Sequence, residues 1–139
     1  MVRLNHAGRR RTRGAAAVEF ALVLPLMLAV IGGVVDFGRA FYTQVVLTNA
    51  AREGARAAVV LQPYDASAVT QRARAAAPGI TPADLTVTTP GACAAGSNAA
   101  VSVSTGFTWL VLEPALSLVG AGSALPTSLS AKAVMQCGG

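Results

Sequence analysis

The chain has 139 residues, of which 53% are hydrophobic, 12% charged and 5% aromatic, and its mean hydropathy is +0.54. Average soluble domains carry about 25% charged residues, so this composition argues against an ordinary, well-solvated globular protein. Low charge with high apolarity is also the reverse of intrinsic disorder. The length predicts one small domain plus an extra segment. With so few aromatic residues its core is thin, and we expect a membrane or neighbouring subunits to cover part of the surface.

The net charge of +5 comes from the first fourteen residues. They contain no acidic residue and five arginines: Arg3, Arg9, Arg10, Arg11 and Arg13. Subtracting these five from the 11 basic residues leaves six, which balance the 6 acidic ones. A nucleic-acid interface needs basic side chains spread over a folded face, so we predict no nucleic-acid partner. A basic block directly before an apolar run is typical of a targeting and orientation signal.

Residues 15–35 form this apolar run, which contains one charge, Glu19, and one proline, Pro25. A helix of this length is about 31 Å long and matches the hydrocarbon core of a bilayer. The alternative is a buried core helix, but the rest of the chain is too small and too rich in alanine to surround one. The basic block then predicts a single-pass membrane protein with a cytoplasmic N-terminus and with everything after Val35 outside.

Two kinds of N-terminal signal fit this arrangement: an uncleaved signal anchor, and a leader of residues 1–14 that is cut on the cytoplasmic side. Gly14, Ala15 and Glu19 favour the second, and the arrangement resembles the class III leader of type IV pilins and pseudopilins. Cleavage after Gly14 would give Ala15 a free ammonium four residues from Glu19, where opposite charges on one helix face can meet. A carboxylate in this position is costly unless it is paired. Glu19 otherwise pairs with a neighbouring subunit or extends to the headgroups.

Residues 14–60 resemble more specifically the TadE-like pseudopilins of the tight-adherence (Tad/Flp-type) pilus machinery. Three pieces carry the resemblance in consistent order: AVEFALVLP at 17–25, DFGR at 36–39 and NAAREGAR at 49–56. The family often has glutamate where this chain has Asp36. The resemblance implies a minor pilus-assembly protein of the bacterial inner membrane, trimmed by prepilin peptidase. Its implied partners are other pilins and the assembly machinery, and its implied downstream role is surface adhesion.

The helical period continues outside the membrane over residues 36–60, so we expect one helix up to Val60, before Gln62 and Pro63. One stripe of this helix recurs at steps of three and four residues: Phe37, Phe41, Val45, Thr48, Ala51, Ala55 and Val59. We interpret it as a contact face, because its small residues let another element approach closely. The face packs on the chain's own C-terminal domain, on another subunit, or on both.

Residues 61–139 predict a small extracytoplasmic domain. Asp65 caps a short helix over 66–77, and alternating residues predict strands over 84–89, 99–106 and 129–136. About three antiparallel strands covered by helix 37–60 give an α+β, pilin-like fold, in which a long N-terminal transmembrane helix continues into a small antiparallel sheet domain. Glu113 and Pro114 disfavour a second span over 107–125. We expect there a hydrophobic loop on the membrane or under a partner, with Trp109 at the interface.

Cys93 and Cys137 are the chain's two cysteines, and outside the cytoplasm this count predicts one disulfide. We predict no catalytic, metal or cofactor site and no enzyme. No histidine follows His6 in the leader, which removes Ser-His and Cys-His nucleophiles, and the carboxylates are not paired for acid-base chemistry. The competing interpretation is an uncleaved bitopic membrane protein whose small outer domain binds or senses something in the envelope.

Overall fold

The computed structural model describes residues 8–61 and 63–138, with side chains from residue 14 onwards. The arginines of the predicted leader therefore lie outside the described residues or side chains. Seven elements follow in chain order: α1 (Gly8–Val60), α2 (Ala66–Ala75), β1 (Leu85–Thr88), β2 (Asn98–Gly106), α3 (Leu112–Ser117), a 3₁₀ turn (Gly122–Ala124) and β3 (Ser128–Gln136).

The helix α1 is continuous over 53 residues, with Pro25 inside it. The predicted single helix is confirmed, and it ends at Val60 as expected. It begins before residue 15, so Gly14 lies within the helix. Residues Gly14–Val60 are the one candidate membrane span that the described residues contain. The most apolar part of that span is only 11% buried inside the protein, which is compatible with membrane anchoring and unlike a soluble core helix.

The three strands form one antiparallel sheet in the order β1-β2-β3, as the alternating sequence predicted. Val103 in the central strand lies opposite Val87 of β1 and Ala131 of β3. Alternate residues of β2 are buried, because successive side chains of a strand point to opposite faces. That buried face packs on α1, which gives the expected α+β architecture.

The core lies between the upper part of α1, helix α2 and the sheet. Its fully buried large side chains include Leu47, Val69, Val101 and Val103. Gly54 lets the elements approach closely: a Cβ there would lie 2.9 Å from Val101 Cγ1 and 3.2 Å from the Ala73 Cβ. Because the residues of α1 at this contact are small, the backbone of α1 lies close to the sheet and to α2.

The helix α2 begins where the sequence predicts and ends two residues earlier, at Ala75. Asp65 is its N-cap, since the Asp65 Oδ1 atom accepts hydrogen bonds from the Ser67 amide at 2.8 Å and the Ala68 amide at 3.3 Å. The Ser67 hydroxyl also donates to this oxygen. The Ser67 hydroxyl and amide and the Ala68 amide lower the pKa of Asp65 below its ordinary value of 3.8, although desolvation opposes this.

Cys93 and Cys137 form a disulfide, with their Cα atoms 5.6 Å apart. It joins the loop between β1 and β2 to the residue that follows β3. The backbone supports the same junction, because the Cys137 amide donates to the Ser97 carbonyl and the Gly96 amide donates to the Cys137 carbonyl. The disulfide closes a chain separation of 44 residues, for which chain entropy gives a stabilisation of about 3–4 kcal/mol.

Candidate functional site

The most elaborate polar arrangement in the described residues lies where the apolar part of α1 meets the sheet domain. Asp36 is fully buried there. Its carboxylate accepts hydrogen bonds from the backbone amides of Leu110 at 3.0 Å, Val111 at 2.8 Å and Leu112 at 2.9 Å. The helix α3 has no side-chain cap of its own. We call this arrangement the Asp36 cap, because it satisfies amides at a helix N-terminus from more than 70 residues away.

Arg39 provides a positive charge next to the Asp36 cap. Its guanidinium lies 3.6 Å from Asp36 Oδ1 and 5.3 Å from the centre of the Phe107 ring, and it donates to the Thr108 carbonyl at 3.4 Å. The carboxylate of Asp36 thus has three backbone donors and one cationic neighbour inside the protein. Asp36 and Arg39 together hold residues 107–112 against α1.

Two glycines of α1 provide the space for this contact. A Cβ on Gly32 would lie 2.7 Å from the Val111 Cβ, which is closer than real Cβ atoms approach, and a Cβ on Gly33 would lie 3.6 Å from Leu112 Cδ2. Sequence reasoning missed the roles of these glycines and of Asp36 as a cap. The available signal was two adjacent glycines in an apolar helix, followed three residues later by an acid.

Trp109 is buried inside the protein, and its position at a membrane interface stays a prediction. Its indole packs edge-on against Phe37 at 5.7 Å and Phe107 at 5.0 Å between ring centroids. Its Nε1 donates to the Pro126 carbonyl at 2.9 Å. The indole thus joins the outer domain to α1, because both its ring and its donor are satisfied inside the protein.

The predicted contact face of α1 divides into two parts. Ala51 and Ala55 are buried in the core, and Thr48 and Val59 are half-buried. By contrast Phe37, Phe41 and Val45 are 61%, 74% and 44% exposed. The sheet domain covers a neighbouring face instead, which includes Asp36, Leu47, Ala50, Gly54 and Ala58. Packing within the chain therefore accounts for only the upper part of the predicted face, and its role between subunits stays a prediction.

The residues at the predicted leader cleavage site are exposed on the surface of α1. Gly14, Ala15 and Glu19 are exposed, and a Cβ on Gly14 would meet no atom within 4 Å. Their helical spacing keeps residues 15 and 19 on one face of α1. Among the described residues, no group of three or more His, Cys, Asp or Glu side chains is arranged to hold a metal ion. Leader cleavage and the lack of enzymatic activity stay predictions.

Comparison with known families adds one finding. Residues 14–56 match the family model described as TadE-like protein, which confirms the resemblance over the three sequence pieces noted above. The match covers most of α1, including Asp36, and stops before α2 and the sheet. No curated protein and no solved structure matches the chain.

Proposed function

We propose that this TadE-like chain is a minor pseudopilin of a Tad/Flp-type pilus assembly system, held in the bacterial inner membrane until assembly and contributing to pilus biogenesis and surface adhesion. The observation that carries the proposal is the construction of α1. Its exposed apolar part suits a bilayer, and the same unbroken helix continues into the core of a small disulfide-linked domain. An anchor that also forms part of the folded domain is suited to a subunit that leaves the membrane as one piece.

The proposed processing step is hydrolysis of the peptide bond after Gly14 by prepilin peptidase. The exposure of Gly14 and Ala15 supports access by a protease. The new ammonium on Ala15 then has Glu19 one helical turn away, which compensates the charge of a carboxylate near the membrane edge. The arginines before Gly14 favour a cytoplasmic N-terminus, and this orientation supports a sheet domain outside the cytoplasm.

The proposed contacts with other pilins use the exposed part of the predicted contact face. Phe37, Phe41 and Val45 leave a large apolar area uncovered next to the sheet domain. Exposed apolar patches of this kind mark interaction surfaces. Ala51 and Ala55 are already used by the chain's own core, so a neighbouring subunit would approach α1 below them.

The decisive experiment is mass analysis of the mature N-terminus in cells that contain the prepilin peptidase. We expect the native protein to begin at Ala15 and Gly14→Leu to remain full-length in the membrane. Gly38→Leu is the matched control, because a Cβ on Gly38 also meets no atom within 4 Å, and it should be trimmed normally. Pili and surface attachment should be lost on deletion and should not be restored by Gly14→Leu.

An intact N-terminus in the native protein would overturn the proposal and favour the uncleaved bitopic protein. Normal trimming of Gly14→Leu would contradict the assigned cleavage position. If the native gene and Gly38→Leu restore attachment, and Gly14→Leu is present at full length in the membrane but does not restore it, then the defect lies in processing and not in expression.

A further inference from the structure

Residues 110–119, which we call the α3 segment, lie beside the apolar part of α1 rather than above it. Val111 contacts α1 at Gly32 and Leu112 contacts it at Gly33. Further along, Leu118 and Ala115 line a shallow groove together with Pro25 and Leu28. Pro25 lies 11 residues below Asp36, or about 16 Å along a helix. The α3 segment therefore occupies the level that corresponds to the outer half of a 30 Å hydrocarbon core.

The outer surface of the α3 segment is apolar and uncovered. Leu110, Leu118 and Val119 are 60%, 88% and 76% exposed. The neighbouring surface of α1 at the same level is of the same kind, since Leu28 and Ile31 are also exposed. Residues of both α1 and the α3 segment line the groove described above, and exposed apolar side chains of this kind are stable when they face lipid.

Several polar groups of the α3 segment are hydrogen-bonded inside the protein, as a lipid environment requires. The Asp36 cap accepts its first three amides. At the other end, the amides of Val119 and Gly120 donate to the carbonyls of Leu116 and Ser117. The Ser117 hydroxyl donates to the Pro114 carbonyl. The segment thus satisfies these polar groups without water.

Charged and aromatic side chains lie at the level where headgroups are expected. Phe41 and Tyr42 are exposed one to two turns above Asp36, as in the aromatic belts of membrane proteins, and Arg39 lies about one turn above Asp36 on the same helix. Glu113 is the single charge of the α3 segment and lies in its first turn, at the shallow end next to the Asp36 cap. With only six residues, helix α3 is too short to cross a bilayer.

We propose that the α3 segment inserts into the outer leaflet of the bilayer alongside α1, so that the protein contacts lipid through two elements rather than one. This inference rests on the proposed membrane anchoring. It assigns residues 110–119 to the acyl-chain region, with Glu113 at the headgroups. The Asp36 cap then lies directly at the boundary between lipid and the outer domain.

The test is fluorescence quenching by lipids brominated on the acyl chains, with the full chain in phosphatidylcholine vesicles. Trp109 is the only tryptophan, so a Trp109→Phe background gives a single probe at each chosen site. The probes are Leu118→Trp in the α3 segment, Leu22→Trp on exposed α1, and Val134→Trp on the exposed face of β3. We expect equal loss of emission for Leu118→Trp and Leu22→Trp, and no loss for Val134→Trp.

The outcomes separate the two proposals. Quenching of Leu22→Trp without quenching of Leu118→Trp would overturn the insertion of the α3 segment and leave the anchor intact, with a protein partner then covering the segment. Absence of quenching at both positions would refute the anchor itself. Because Trp109→Phe removes the hydrogen bond to Pro126, the unmodified chain should also be labelled with a photoactivatable acyl-chain lipid. Adducts within 110–119 are expected, and adducts confined to α1 would overturn the proposal.

Discussion

The two parts of α1 differ in what they do with the same helical geometry. Below about residue 45, its large apolar side chains are mostly exposed, as Leu22 and Phe41 illustrate. Above that point, the side chains that face inward are mostly small and fully buried, as Ala50 and Ala58 illustrate. In α1, the residues that the rest of the protein covers are therefore mostly small, and most of the large hydrophobic residues are exposed. Size and apolarity alone therefore do not identify the residues in the interior of this chain.

The sharpest test of this difference is to shorten one leucine in each part. Leu47→Ala removes a fully buried side chain and should lower the free energy of unfolding by about 2–5 kcal/mol. Leu22→Ala, at an exposed position, should change it by about 0.5 kcal/mol or less. Denaturant titration of the full chain in detergent micelles, followed by Trp109 fluorescence, measures both. Equal losses would show that the two parts of α1 share one packed core.

A second pair of substitutions adds a methyl group to glycines of α1. Gly54→Ala places a Cβ against Val101 and Ala73, and overpacking of this kind costs about 1–3 kcal/mol. Gly38→Ala meets open space and should stabilise the helix by up to about 1 kcal/mol. The same titration should give changes of opposite sign. A stabilising Gly54→Ala would mean that the sheet is free to move away from α1.

The smallest expected effect concerns the pH dependence of the outer domain. Because the pKa of Asp65 is lowered in the folded state, its contribution to stability is present above the ordinary value of 3.8 and is lost as the pH falls through the folded pKa. Asn is an equally good N-cap but does not titrate. Thermal melting at pH 7 and pH 3 should therefore show a smaller acid-induced loss for Asp65→Asn than for the native chain. An identical loss in both would assign the acid sensitivity to other groups.

Local patterns predicted the outer domain well. The alternation around Val101 and Val103 identified the central strand, Asp65 identified the start of α2, and the pair Cys93 and Cys137 identified the disulfide. Each of these signals depends on a short stretch of chain, or on a count of cysteines in one compartment. Such signals indicate the same local structure in almost any fold, so they predict it without knowledge of the tertiary structure.

The prediction was weaker wherever the meaning of a residue depends on a distant segment. Helical spacing assigns Phe41 and Val45 to one face with Ala51 and Ala55, yet the sheet packs on an adjacent face of α1. The sequence did not indicate that the Trp109 ring packs between Phe37 and Phe107. The two glycines before Asp36 indicate a close contact, but they do not identify its partners, which are amides more than 70 residues away. Packing across the whole chain decides all three.

The continuity of α1 has a mechanical consequence. A rod of 53 residues, about 80 Å long, passes from its N-terminal end into the sheet domain without an intervening linker. Asp36 and Trp109 fasten the domain to this rod near its midpoint, and Gly54 brings the sheet against it higher up. An axial force or a torque applied to the N-terminal end of α1 would be transmitted directly to the sheet. The sheet domain and α1 would then translate and rotate together as one rigid body.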